Sequence, residues 1–187
     1  MYHLVAQAIG FLGMALCIGC FQCKSSRLLL LFQLLGNTVY VVHYLMLGAY
    51  SGCVSAALLA CSAIPICAGD QPWGKWKGWK WLFSALAVVA CIFTYQDIFS
   101  LLPCAATVIF IMTNYSGNGK VIRRCKLFLV GPMWVVYNAY VRSISGTMSE
   151  AFGMVSALVS LCRFGAKPLE KDIGDAVDCG SEEPAAR

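Results

Sequence analysis

Gln33, Asn37, Tyr40 and Tyr44 recur three or four residues apart with His43 beside them, so a helix through this stretch carries one polar and aromatic face. Such a face can do two kinds of work. It can line a pocket where rings stack on a ligand while His43 and the amides exchange hydrogen bonds with it, or it can bond neighbouring helices together. Trp134, Tyr137 and Asn138 form a comparable face later in the chain. Glu150 is the only acidic residue well inside an apolar run, which marks it as a proton-coupling candidate. The same residue ends Thr147-Met148-Ser149-Glu150, the spacing of a capping box in which the glutamate reaches back to the amide of the cap.

The elements that must hold these groups are apolar. Of the 187 residues 59% are hydrophobic and only 12% charged, with a mean hydropathy of +0.71, more than the core of a soluble domain absorbs. Apolar runs at 4–21, 28–47, 53–68, 81–94, 98–113, 125–141 and 147–164 predict an all-α, polytopic protein with seven transmembrane helices. Threading seven spans gathers Lys24, Arg27, Lys75, Lys77, Lys80, Lys120, Arg123, Arg124, Lys126, Arg163, Lys167, Lys171 and Arg187 on one face. Only Arg142 is left on the other. The positive-inside rule then predicts an outside N-terminus and a cytoplasmic C-terminus. The first run lacks the basic start and cleavage site of a signal peptide and is expected to remain as a helix. Residues 165–187 carry six acids against three bases without apolar periodicity, the composition of a flexible cytoplasmic tail.

Sliding the chain by 94 positions aligns 33–64 with 127–158 without a gap, and nine of the thirty-two columns are identical. Tyr40-Val41-Val42-His43 meets Trp134-Val135-Val136-Tyr137, and Ser51-Gly52 meets Ser145-Gly146. The alignment predicts a duplicated architecture: a three-helix bundle over 1–68, an interfacial loop and linker helix over 69–97, a second bundle over 98–164, and the tail.

Three helices, one linker and three helices with an outside N-terminus resemble the SWEET sugar transporters, and Pro103 is similar to the helix-breaking proline that serves those bundles as a hinge. The aligned position in the first half is Ile9, and 53–68 and 147–164 lack the asparagines those transporters use. The local sequence is closer to another group. Val42-His43-Tyr44-Leu45-Met46-Leu47-Gly48-Ala49-Tyr50, Trp134-Val135-Val136-Tyr137-Asn138, and Ser143-Ile144-Ser145-Gly146-Thr147-Met148-Ser149-Glu150 through Arg163-Phe164 resemble the YgjV-type bacterial inner-membrane proteins. That resemblance implies a multi-pass protein of the bacterial inner membrane with a SWEET-like fold and no settled substrate.

Other motifs carry less. Trp73, Trp76, Trp79 and Trp81 alternate with Lys75, Lys77 and Lys80, a pattern expected of an interfacial belt touching anionic lipid rather than of a nucleic-acid grip. Cys17, Cys20 and Cys23 have C-x-x-C spacings without a fourth ligand, and most of the eleven cysteines are isolated in apolar helices as small hydrophobes. The chain has no Walker loop, dinucleotide fingerprint, zincin helix or nucleophile elbow. The expectation is therefore a non-enzymatic membrane protein without cofactor or metal, partnered by the bilayer, a small-molecule solute and, as an open alternative, a second copy of itself as a homo-oligomer. Its leading function is small-solute transport at a site formed by Asn37, Tyr40, His43, Tyr44, Trp134, Tyr137 and Asn138. The alternative is a non-transporting scaffold or adaptor.

Overall fold

The computed structural model describes residues 2–22, 26–69 and 71–164. The acidic tail, Cys23 and Lys24 lie outside the described residues, as do the side chains of His3, Cys20, Arg27 and Arg163. The described residues form seven helices and no strand. Helices α1 (Tyr2–Gln22), α2 (Ser26–Met46) and α3 (Tyr50–Cys67) run up, down and up through the first part of the chain. After α4 (Trp79–Thr94) a 3-10 turn, Ile98–Ser100, leads into α5 (Leu101–Asn114). Helix α6 is continuous but built of three pieces, Gly119–Cys125, a π-helical turn Lys126–Val130, and Gly131–Tyr140. Helix α7 is Ile144–Phe164.

The π turn has a local cause. Pro132 has no amide hydrogen and its ring crowds the carbonyl four residues back, so the preceding turn widens and the Gly131 amide reaches Lys126 O instead. Pro103, the predicted hinge, behaves differently. It lies buried in the first turn of α5, where no intrahelical amide bond is required, and so begins a helix rather than breaking one.

Helix α1 packs on α2 and α7, α3 packs on α2 and α5, and α4 covers α3 and α5. The surface left outside is apolar: Phe93 is 84% exposed, Leu4 74%, Ile92 71% and Phe128 70%. Polar side chains go the other way, with Gln7, Gln33, His43, Ser51, Asn138, Ser143 and Ser145 all buried. That distribution inverts the rule for soluble proteins and suits a hydrocarbon solvent. By length and composition α3 and residues 144–162 of α7 are able to cross a membrane, while the apolar stretches 4–19, 79–94 and 98–114 are shorter.

The two hairpins joining α2 to α3 and α6 to α7 match bond for bond at a separation of 94 residues. Ala49 N donates to Tyr44 O at 3.0 Å and Ser143 N to Asn138 O at 2.9 Å. Gly48 N donates to Leu45 O and Arg142 N to Ala139 O, both at 3.2 Å. Gly48 and Arg142 occupy the same left-handed conformation, with φ of 69° and 54°. Both links are shorter than the sequence suggests, because the Ser-Gly pairs 51–52 and 145–146 belong to the first turns of α3 and α7. A further clamp holds the chain after α4. Tyr140 OH donates to the Asp97 carboxylate at 2.6 Å, the Phe99 and Tyr140 rings stack at 4.2 Å, and the Tyr140 bond holds the Asp97 carboxyl below its ordinary range.

Arginine in the left-handed region is strained where glycine is not, by roughly 1 kcal/mol. Thermal unfolding in detergent should therefore show Gly48→Ala less stable than the native chain by about 1 kcal/mol, and Arg142→Gly more stable by up to about 1 kcal/mol. Loss of stability in Arg142→Gly would contradict this account of the turn.

Candidate functional site

The buried polar groups of α2 and α6 meet across the centre of the bundle in two layers. The first layer is a seam at the end where α2 and α6 finish. His43 Nδ1 lies 2.7 Å from Ala6 O, and since a carbonyl only accepts, this nitrogen carries a proton and donates it. His43 Nε2 is hydrogen-bonded to Ser143 Oγ at 2.8 Å, with Ser145 Oγ at 3.4 Å. Tyr44 OH donates to Asn138 Oδ1 at 2.7 Å. Tyr137 OH accepts from Gly52 N at 2.9 Å and is hydrogen-bonded to Ser51 Oγ at 2.8 Å. Ser145 N donates to Gln7 Oε1 at 3.0 Å.

These contacts are reciprocal under the 94-residue shift. It carries His43 to Tyr137 and Ser51 to Ser145, so the His43–Ser145 contact maps onto Tyr137–Ser51. Tyr44 and Asn138 are shift partners of each other and bond directly. The approach is close because Gly52 and Gly146 sit opposite Tyr137 and Asn138; a Cβ at either glycine would collide with the facing side chain.

The second layer is a cavity of about 50 Å³ directly beneath the seam. It runs from Tyr44, Trp134 and Gly146 at the seam to Cys17, Gln33 and Lys126 farther along the bundle. That volume holds a few waters or a solute of few heavy atoms, given roughly 10–15 Å³ for each water-sized probe. Tyr44 is stacked between Tyr40 and Trp134, at 5.7 and 5.9 Å between ring centres. Both amide atoms of Gln33, Asn37 Nδ2 and Tyr40 OH line or border this space, buried and without a hydrogen-bond partner. Leaving each such group unbonded costs about 1–3 kcal/mol. On the opposite wall Lys126 Nζ pairs with Glu150 Oε2 at 2.5 Å, and the same ammonium lies 5.8 Å from the centre of the Phe110 ring. The cavity thus offers donors, acceptors, both signs of charge and aromatic walls.

The expected residues divide between the layers. Asn37 and Tyr40 line the cavity, His43, Tyr137 and Asn138 form the seam, and Tyr44 and Trp134 belong to both. Pro103 is not among the residues lining the cavity. The capping-box reading of Glu150 is corrected: α7 starts a turn earlier, Ser143 Oγ takes the Gly146 amide at 3.1 Å, and Thr147 Oγ1 donates back to Ser143 O. Glu150 is therefore free to face Lys126. Sequence reasoning missed Lys126 as a site residue by grouping it with the flanking bases, although it falls inside the apolar run 125–141, and it is only 8% exposed. It also missed Gln7 and used Ser51 and Ser145 only as alignment columns. Among the described residues no group of three or more His, Cys, Asp and Glu side chains is placed to hold a metal ion.

Removing one partner of a buried ion pair strands the other. Lys126→Leu should destabilise the protein by about 3 kcal/mol in thermal unfolding, and adding Glu150→Gln should restore most of that loss. Strictly additive losses in the double variant would show that the two charges do not interact.

No match is found among curated proteins or among solved structures. A family model described as bacterial inner membrane protein matches residues 4–167. A chain with apolar surfaces turned outward and polar groups turned inward, matched over nearly its whole described length, thus belongs to the Imp-YgjV family of bacterial inner membrane proteins.

Proposed function

We propose that this inner membrane protein is a small-solute transporter that binds its solute in the cavity between α2, α6 and α7 and moves it by alternating access. In this reading the chain crosses the bilayer seven times. Residues 1–68 and 98–164 are duplicated, parallel three-helix units in a SWEET-like arrangement, and 69–97 supplies the linker helix. The N-terminus faces outside and the tail the cytoplasm. The matching hairpins, the reciprocal seam contacts and the uneven placement of Lys and Arg support this organisation.

One observation carries the transport reading. Gln33, Asn37 and Tyr40 keep polar atoms unbonded in the interior, beside a Lys126–Glu150 pair, immediately under a seam made of hydrogen bonds. A scaffold, the second reading, gains nothing from unpaired polar groups around a cavity. A binding protein does, since a solute completes the missing bonds. The seam is also breakable. Interhelical hydrogen bonds in membranes contribute about 0.6 kcal/mol each on average, so parting the handful seen here costs a few kcal/mol, within reach of a solute that binds the two states unequally.

The test is solute permeation into proteoliposomes, followed by stopped-flow light scattering with glycerol, glycine and acetate as probes of the neutral, zwitterionic and anionic classes. At least one should cross faster than in protein-free vesicles. Asn37→Leu combined with Tyr40→Phe should cut that excess by about tenfold, as expected when two hydrogen bonds to the solute are lost. Permeation at the protein-free level for all three probes, or an excess untouched by the double substitution, would favour the scaffold.

A further inference from the structure

A second cleft lies away from the central cavity, where the ends of α3 and α5 meet the loop that leads into α4. Its volume is about 480 Å³, within the range of small-molecule sites. Lys75, Lys77 and Lys80 line it together with Trp76 and Asn114. No carboxylate is among the described residues that line it.

The loop is a built structure and not a loose connection. Trp79 Nε1 donates to Trp73 O at 2.7 Å, and the Trp79 ring packs edge-on against Trp73 and Trp76 and stacks on Phe83. Backbone bonds from Gln71 N to Ala68 O and from Gly74 N to Gln71 O tie the loop to the end of α3. Across the cleft, Tyr115 OH donates to Ser62 O at 2.9 Å and fixes the end of α5 against α3. Two lysines on this loop and a third in the first turn of α4 are thereby held around one volume.

Two further features set the chemistry. Asn114 is 2% exposed, lines the cleft, and has neither its amide nitrogen nor its amide oxygen bonded. Helix α4 begins here with no side-chain cap and no acid in its first turn, and Trp79 N and Trp81 N donate to Trp76 O and Gly78 O. At the ends of α3 and α5 the carbonyls of Ile64, Ile66, Ile111 and Thr113 likewise accept amides of the following turns, so the three lysines set the charge of the cleft. The balance is a positive cleft with an unused amide donor at its inner wall.

We propose that this cleft binds a phosphate group, as a phosphate ester or the free anion, with Lys75, Lys77 and Lys80 neutralising its charge and Asn114 Nδ2 donating to one of its oxygens. A lipid phosphodiester and dissolved phosphate present the same oxygens, and the loop's exposed tryptophans, Trp73 at 48% and Trp76 at 56%, would lie beside acyl chains in the first case. The proposal does not depend on transport through the central cavity.

The test uses the full-length protein in detergent, titrated with dihexanoyl-phosphatidylglycerol, dihexanoyl-phosphatidylcholine or inorganic phosphate at constant ionic strength, with tryptophan fluorescence as the readout. Saturable binding of the phosphatidylglycerol or of inorganic phosphate is expected. It should weaken about tenfold or more in Lys75→Gln/Lys77→Gln/Lys80→Gln and by about fivefold in Asn114→Ala, and stay unchanged in Asn37→Leu. Saturation by the lipid alone identifies a headgroup site, and saturation by phosphate identifies a site for the free anion. Binding that the lysine variant retains in full, equal binding of the phosphatidylcholine, or no saturable binding of either phosphate probe would overturn the proposal.

Discussion

A hydrocarbon solvent offers no hydrogen bonds, so every polar side chain on an apolar helix must find its partner inside the protein. That constraint orders this structure more than helix propensity or apolar packing does. Leucine, valine and phenylalanine gain nothing by leaving lipid for a protein interior, and they cover the outside here. What has reason to gather is the polar minority: Gln7, Gln33, Asn37, Tyr40, His43, Tyr44, Ser51, Tyr137, Asn138, Ser143, Ser145, Lys126 and Glu150. The fold is the arrangement that brings these groups from α1, α2, α3, α6 and α7 to one axis.

Along that axis the polar groups are treated in two ways. At the seam the hydroxyls and the His43 ring are paired, Gln7 Nε2 and Asn138 Nδ2 are left over, and a matching contact recurs on both sides of the Tyr44–Asn138 bond. One to three turns deeper, Tyr40, Asn37 and Gln33 hold polar atoms without hydrogen-bond partners around a cavity. The difference between the layers is one of degree: the seam leaves one amide nitrogen on each of Gln7 and Asn138 unbonded, whereas around the cavity both amide atoms of Gln33, Asn37 Nδ2 and Tyr40 OH lack partners. The proposed transport reading rests on this pairing of a hydrogen-bonded seam with a polar cavity beneath it. The proposed pair of units moving against each other about Tyr44 and Asn138 follows from that reading.

Much of this was legible in the sequence, and the failures have physical causes. The stripe from Gln33 to Tyr44 stands out because polar residues inside an apolar run have few places to go, and it does face inward. The 94-residue shift could be found from Ser51-Gly52 and Ser145-Gly146, but not the reason for those columns, which is that the glycines admit Tyr137 and Asn138 while the serines bond across the axis. Lys126 looked like a flanking base because charge marks the edge of an apolar run. In the structure α6 begins at Gly119, so Lys126 stands two turns inside it, next to Glu150. Glu150 looked like a cap because Thr147 has the right spacing, and the start of α7 at Ile144 removes that role. Pro103 resembled a hinge, yet where a proline falls relative to the first turn of its helix is decided by the packing of α5 and the 3-10 turn before it. Which of several hydroxyls meets which partner is fixed only by the assembled bundle.

The two hairpins form one reciprocal seam of hydrogen bonds, so loosening one side should loosen the other. Hydrogen–deuterium exchange of the protein in nanodiscs, comparing the native chain with Tyr44→Phe, addresses it directly. The account predicts that amides of 47–53 and 141–147 lose protection together, because removing one hydroxyl loosens bonds shared by both hairpins. Faster exchange confined to 47–53, with 141–147 unchanged, would contradict it.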